Sequence, residues 1–191
     1  MGFLDALFGR STPKKADLDA LFALPPALLT LEAATGFRPT GVAAVAFREV
    51  EGGAFDEVEA ESRALLGMDG STAVRQENDG FGFTWQVITD SSGDASRLVA
   101  SLHAVNSSLE VRGFGPMLLC STVYVAAPDG RRAALVYLYK RGTFYPFAPN
   151  GERTRDSALE IHLRGVLAGD LPVEDDLSKW SPVWGAPGMT D

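Results

Sequence analysis

Two segments of this sequence carry the pattern of a β-hairpin, and they limit the possible folds more than any other feature. The first joins residues 72–77 to residues 81–89 through an Asn-Asp-Gly turn, and its second arm alternates aromatic and polar side chains. The second joins residues 117–127 to residues 131–140 through Pro-Asp-Gly, whose proline and glycine favour turn dihedrals. Hairpins make antiparallel neighbours without a crossover helix. The sequence therefore predicts a mainly antiparallel sheet.

Helical periodicity separates these strands. The clearest helix has an apolar stripe from Leu98 to Leu109, begins at Ser92 or Asp94 and ends at Gly113. The remaining predicted elements are a helix at residues 18–24 that Asp17 could cap and Pro25-Pro26 would end or redirect, a short helix at residues 28–35, a strand at residues 42–50, an amphipathic helix from Phe55 to Leu66, and a helix from Leu159 to Leu167 after an Asp156 cap.

The resulting order of strand, helix, hairpin, helix, hairpin and helix predicts an α+β fold with helices packed on the sheet. This layout resembles that of the YbjN proteins and the type III secretion chaperones, an analogy of element order alone. With 191 residues the chain is long enough for one well-buried core. We expect an amphipathic segment and linker at residues 1–15, a single domain at residues 16–169, and an acidic tail with tryptophans and prolines at residues 170–191.

Net charge and cysteine content limit the expected partners and the expected cellular compartment. The formal net charge of -8 repels phosphates, so nucleic acid is not an expected partner. A single cysteine, Cys120, cannot form an internal disulfide, and no secretory signal opens the chain. The longest uninterrupted apolar runs are shorter than the roughly 18 residues that cross a bilayer as a helix. We expect a cytoplasmic protein without a membrane span.

Side chains that could carry catalysis or bind a metal are scattered. His103 and His162 lie in predicted helices without neighbouring ligands at metal spacing. Cys120 is in the middle of a strand, with no local base or helix N-terminus to lower its pKa. No nucleophile elbow, P-loop or dinucleotide-binding glycine motif occurs. The sequence predicts no catalytic site, no cofactor and no metal.

One aromatic and basic segment stands out as a candidate partner surface. Pro146 argues against an ordinary central strand there, and aromatic and arginine side chains concentrate at binding hot spots. The competing interpretation is that the same aromatic side chains pack into the core, and both remain open at this stage. The candidate residues are Lys140, Arg141, Phe144, Tyr145 and Phe147, together with Trp180 and Trp184 of the tail.

Glycine-flanked aromatics suggest an alternative function. Phe81 and Phe114 each lie between two glycines, which let the backbone approach a ligand closely. Ordinary turns explain the same pattern. The alternative to a protein-binding role is therefore a domain that senses a small molecule or a peptide.

The first ten residues form an amphipathic pattern with basic residues just beyond them. Such a segment suits the headgroup layer of an anionic membrane, and docking on the domain is the alternative. Ala6 breaks the myristoylation pattern, so weak and reversible contact is expected. The candidate membrane contacts are Phe3, Leu4, Leu7, Phe8, Arg10, Lys14 and Lys15.

Several stretches together resemble one known family. They are MGFLDALFGR, LDALFALP, TGFRPTGVAAVAFR, LHAVNSSLE, GFGPMLLC, ALVYLYKRGTFYPFAP and WSPVWGAPG. Because these stretches occur together in this order, the chain is similar to PspAB, the PspA-associated accessory family of the phage-shock envelope-stress response. The resemblance implies a bacterial cytoplasmic protein that works beside a PspA-like membrane-protecting protein. Together with the missing catalytic constellation it predicts a non-enzymatic adaptor, and the amphipathic start suggests work near the inner membrane. Its implied partners are a PspA-like protein, a small PspA-associated protein and an HtpX-like membrane protease.

Overall fold

The fold is taken from a computed structural model, which describes residues 17–48, 60, 70–151 and 153–189. The predicted amphipathic segment and linker of residues 1–15, with all of the candidate membrane contacts, lie outside these residues. So does the helix predicted from Phe55 to Leu66, except for Ala60.

Among the residues that the structure describes, six antiparallel strands form one sheet in the order β2-β3-β1-β4-β5-β6. The prediction of an α+β domain with an antiparallel sheet is confirmed, whereas the YbjN-like layout stays a prediction. Residues 143–147 add a strand that was not predicted, and Pro146 is tolerated there because β6 is last in the order. The strands are β1 Arg38–Arg48, β2 Thr72–Asn78, β3 Phe83–Asp90, β4 Leu118–Ala126, β5 Arg132–Leu138 and β6 Thr143–Phe147.

In the described ranges, three α-helices pack on the sheet: α1 Leu24–Thr35, α2 Ala95–Val111 and α3 Ser157–Leu167. The predicted caps of α2 and α3 are present. Asp94 accepts hydrogen bonds from the amides of Ser96 and Arg97, and Asp156 accepts one from Leu159.

The first helical segment differs from its prediction. A 3-10 helix, Leu18–Ala23, continues directly into α1, and Pro25-Pro26 occupies the first turn of α1 instead of ending a helix. Proline is tolerated there because first-turn amides have no intrahelical acceptor. Asp17 makes no side-chain capping bond. By length and composition, Leu18–Thr35 could cross a membrane, a test that core helices of globular proteins also pass.

Both faces of the sheet are buried, each under a different cover. The first face, which includes Val45 and Phe47 of β1, packs against the three helices. The second face, which includes Ala44 and Ala46, is covered by residues 173–189, called here the C-terminal segment. The sequence predicted an acidic tail here and left open whether its tryptophans pack into the core. The structure buries Trp180 in the second core.

Candidate functional site

An apolar groove opens on the second face of the sheet, and its floor is formed by small side chains. Ala46 on the inner strand β1 pairs with Trp85 on one side and with Cys120 on the other. Cys120 in turn pairs with Leu138 of β5. Alanine and cysteine therefore form a low floor between the larger Trp85 and Leu138, because side chains opposite one another in a sheet share a face.

A β-bulge widens the apolar lining of the groove. The register between β1 and β4 shifts after the Ala46–Cys120 pair, so that Phe47 pairs with Leu118 and Leu119 is the extra residue. Leu118 belongs to the first core, whereas Leu119 and Cys120 both line the groove. A bulge redirects side chains in this way because it interrupts the alternation of a strand.

The turn between β2 and β3 forms one wall. Asp79 Oδ1 accepts hydrogen bonds from the amides of Phe81 at 2.8 Å and Phe83 at 3.0 Å, and its Oδ2 accepts one from Trp85 Nε1 at 2.8 Å. This carboxylate fixes the turn and the indole together. The aromatic residues of the hairpin are thus held at the mouth of the groove, with Phe81 still 49% exposed.

The opposite wall is the C-terminal segment, which two tryptophans hold on β6. Trp180 stacks on Tyr145 at 5.7 Å between ring centroids, and Trp184 meets Phe147 edge-on at 4.8 Å. The Tyr145 hydroxyl donates to the carbonyl oxygen of Ser181 at 2.6 Å. Burial raises the pKa of Tyr145, so this hydroxyl stays protonated as a donor.

Two further contacts fix this wall. Arg155 binds both carboxylate oxygens of the buried Glu160 and donates to the carbonyl oxygen of Trp180 at 2.6 Å. Glu174 accepts bonds from Arg141 at 2.9 Å and from the Thr143 hydroxyl at 2.7 Å. These donors, Arg141 foremost, lower the pKa of Glu174 to about 2.

The groove has a volume of about 430 Å³, within the range of roughly 300 to 1,000 Å³ typical of ligand pockets. Aromatic and aliphatic side chains dominate its lining, and within the described part of the chain its charged residues are Arg48 and Asp79. Burial raises the pKa of the Cys120 thiol to about 12, which makes it a poor nucleophile. Among the described residues, no group of three or more His, Cys, Asp or Glu could hold a metal ion. Such a site is suited to receiving apolar groups.

The candidate partner residues fall in different places. Phe144 is buried on the first face against Tyr137, whereas Tyr145, Phe147 and Trp180 are buried on the second face. Trp184 is partly exposed at the groove, Arg141 pairs with Glu174, and Lys140 is exposed nearby. The structure therefore brings Tyr145, Phe147, Trp180 and Trp184 together. Of the three buried aromatics Tyr145, Phe147 and Trp180, Tyr145 also lines the groove.

The two glycine-flanked phenylalanines are separated. Phe81 lines the groove, whereas Phe114 packs against the first core. The groove also contains three residues that were not predicted as site residues: Arg48, Ala46 and Leu119. The alternation from Ala44 through Ala46 to Arg48 was visible and could have placed them on one face, but the bulge at Leu119 leaves no sequence signal.

Comparison with known proteins identifies the family. A family model described as PspA associated protein B matches residues 1–188. The chain belongs to the PspAB family. Membership of PspAB confirms the resemblance seen in the sequence and indicates an accessory role with PspA. No curated protein and no solved structure matches the chain.

Proposed function

We propose that this PspAB protein is a non-enzymatic adaptor that binds a PspA-type protein through the apolar groove. The observation that carries the proposal is the groove itself, in a chain whose family is named for association with PspA. Its wall presents Phe81 and a partly exposed Trp184 beside aliphatic side chains. Aromatic side chains in an apolar recess are typical of the centre of protein interfaces.

The cellular setting of this adaptor is part of the proposal. It works in the cytoplasm at the inner membrane, where residues 1–15 supply weak contact with the lipid headgroups. A small PspA-associated protein and an HtpX-like protease are further partners that the family resemblance implies. Flotation of the full chain with anionic liposomes, compared with a chain starting at Ser11, tests the membrane contact. Equal flotation of the two would contradict it.

Co-purification with a PspA-type partner tests the adaptor role. We expect wild-type protein to retain the partner and Phe81→Ser to lose most of it. Phe22→Ser is the matched control, because Phe22 is also 49% exposed but packs beside His103 in the helical layer. Failure of the wild type to retain the partner would refute the adaptor role. Equal retention by all three proteins would refute the groove as the contact.

A second candidate function is the sensing of a small apolar ligand, which the groove volume of about 430 Å³ favours. A thermal-shift screen tests it. A ligand present at 100 times its dissociation constant adds about 2.7 kcal/mol to the free energy of unfolding. A stabilising ligand should lose its effect in Phe81→Ser and keep it in Phe22→Ser. Ligands that stabilise both variants equally would point away from the groove.

A further inference from the structure

The charged side chains that line the groove differ in whether they already have hydrogen-bond partners. The carboxylate of Asp79 already accepts three intramolecular hydrogen bonds, two from backbone amides and one from Trp85. Arg48 lines the same groove, is exposed, and makes no hydrogen bond or ion pair with the residues that the structure describes. Arg48 is therefore the charge in this lining that is open to a partner.

The direction of Arg48 follows from its strand. Successive residues of a strand point to opposite faces, and Ala44 and Ala46 belong to the second core. Arg48 is next in that series and opposes Phe83 of β3, so its side chain belongs to the second face, where Arg48 lines the apolar recess. A group that fills the recess can meet the guanidinium at the same time.

A second arginine lies at the same mouth. The guanidinium of Arg153 is 5.8 Å from the centroid of the Phe81 ring, and Phe81 lines the groove. Two cationic groups thus flank an apolar recess in a protein whose net charge is -8.

We infer that the groove binds a protein segment in which large apolar side chains are adjacent to a carboxylate, the apolar groups entering the recess and the carboxylate pairing with Arg48. The inference rests on the proposed adaptor function and specifies the chemistry of the partner segment. A guanidinium presents parallel N–H groups that match a carboxylate, which makes this pairing directional as well as attractive. The recess alone would accept any apolar side chain. Arg48 selects those with an acidic neighbour.

The test compares the affinity of a PspA-type partner for wild type, Arg48→Glu and Arg131→Glu. Arg131 is the matched control, because it lies in the turn between β4 and β5, outside the groove lining. Its ion-pair partner is Asp129, and both side chains are exposed. Both changes alter the net charge equally, so any general repulsion affects both variants alike. We expect Arg48→Glu to bind about tenfold more weakly or worse. Arg131→Glu should stay within about twofold of wild type.

A charge exchange on the partner separates a direct contact from a disturbed fold. Glu→Lys and Asp→Lys changes are scanned along the partner, and circular dichroism checks that each adaptor variant is folded. Restored binding between Arg48→Glu and one such partner variant supports the inference.

The failures are distinguishable. Equal affinity of wild type and Arg48→Glu, or equal weakening by both charge reversals, overturns the inference and leaves the adaptor function standing. A partner that does not bind the wild type overturns the adaptor function and this inference together.

Discussion

Trp180 is the residue on which the packing of the C-terminal segment depends most. Its side chain is 5% exposed, stacks on Tyr145, and donates from Nε1 to the carbonyl oxygen of Glu174 at 3.0 Å. Its own carbonyl oxygen accepts a bond from Arg155. Replacement by alanine removes the ring and leaves an apolar cavity between β6 and the segment.

The expected loss follows from these contacts. Truncation of a buried tryptophan to alanine costs about 3 to 5 kcal/mol, which includes the lost burial and the cavity. The stacked pair and the indole hydrogen bond each account for about 1 kcal/mol of that cost. We therefore expect Trp180→Ala to lower the free energy of unfolding by about 3 kcal/mol or more. Trp184→Ala should cost less, because Trp184 is only partly buried.

Urea unfolding followed by far-UV circular dichroism measures both variants without relying on tryptophan fluorescence. Trp184→Ala is the control for loss of an indole from the same segment. Limited proteolysis should cut Trp180→Ala within residues 173–189 faster than wild type. Losses below about 1 kcal/mol for Trp180→Ala, or equal losses for the two variants, would refute the reasoning that this segment is a packed layer.

Three further predictions concern other residues of this face. Because the pKa of Glu174 is lowered from 4.5 to about 2, the contribution of its carboxylate to the free energy of unfolding is complete above pH 4.5 and is lost as the pH falls through 2. Glu174→Gln should therefore flatten the curve of urea midpoint against pH in this range, and parallel curves for the two proteins would contradict this. Gly188→Ala should cost about 1 to 3 kcal/mol, because Gly188 has φ +89 and an added Cβ would lie 2.7 Å from Val42 Cγ1, whereas a Cβ at Gly169 meets nothing within 4 Å; calorimetry should find Gly169→Ala close to wild type and Gly188→Ala well below it. Iodoacetamide should alkylate Cys120 slowly at pH 8 in folded protein and rapidly in urea, and mass spectrometry finding equal rates would exclude the buried thiol with a pKa of about 12.

The local patterns of the sequence were sufficient for most of the sheet and for two of the helices. Turn residues and alternation identify β2 to β5, and the caps at Asp94 and Asp156 identify the starts of α2 and α3. These features depend on neighbours in the chain, which is why a pattern can reveal them. The junction before α1 differs from the prediction, because a proline pair is compatible both with the end of a helix and with the first turn of the next one.

The C-terminal segment could not be predicted, because its structure depends on contacts distant in sequence. Its acidic and proline-rich composition is typical of a solvated tail, and Asp175 and Asp176 are indeed exposed. Glu174, the preceding residue, is instead 3% exposed because Arg141 and Thr143 are available to it. No local pattern distinguishes these acidic residues. The difference comes from β6, which the segment meets only after α3.

The groove and the C-terminal segment are energetically linked because they share residues. Tyr145, Ser181 and Trp184 hold the segment on the sheet, and the same three residues line the groove. For a partner that binds the groove with the segment in place, two free energies are equal by linkage. They are the free energy by which the packed segment strengthens binding and the free energy by which the bound partner stabilises the packed segment. The indole of Trp180 does not line the groove. Trp180→Ala should therefore weaken partner binding through this linkage. Addition of the partner should in turn slow proteolysis within residues 173–189, and unchanged proteolysis at saturating partner would show that the two are independent.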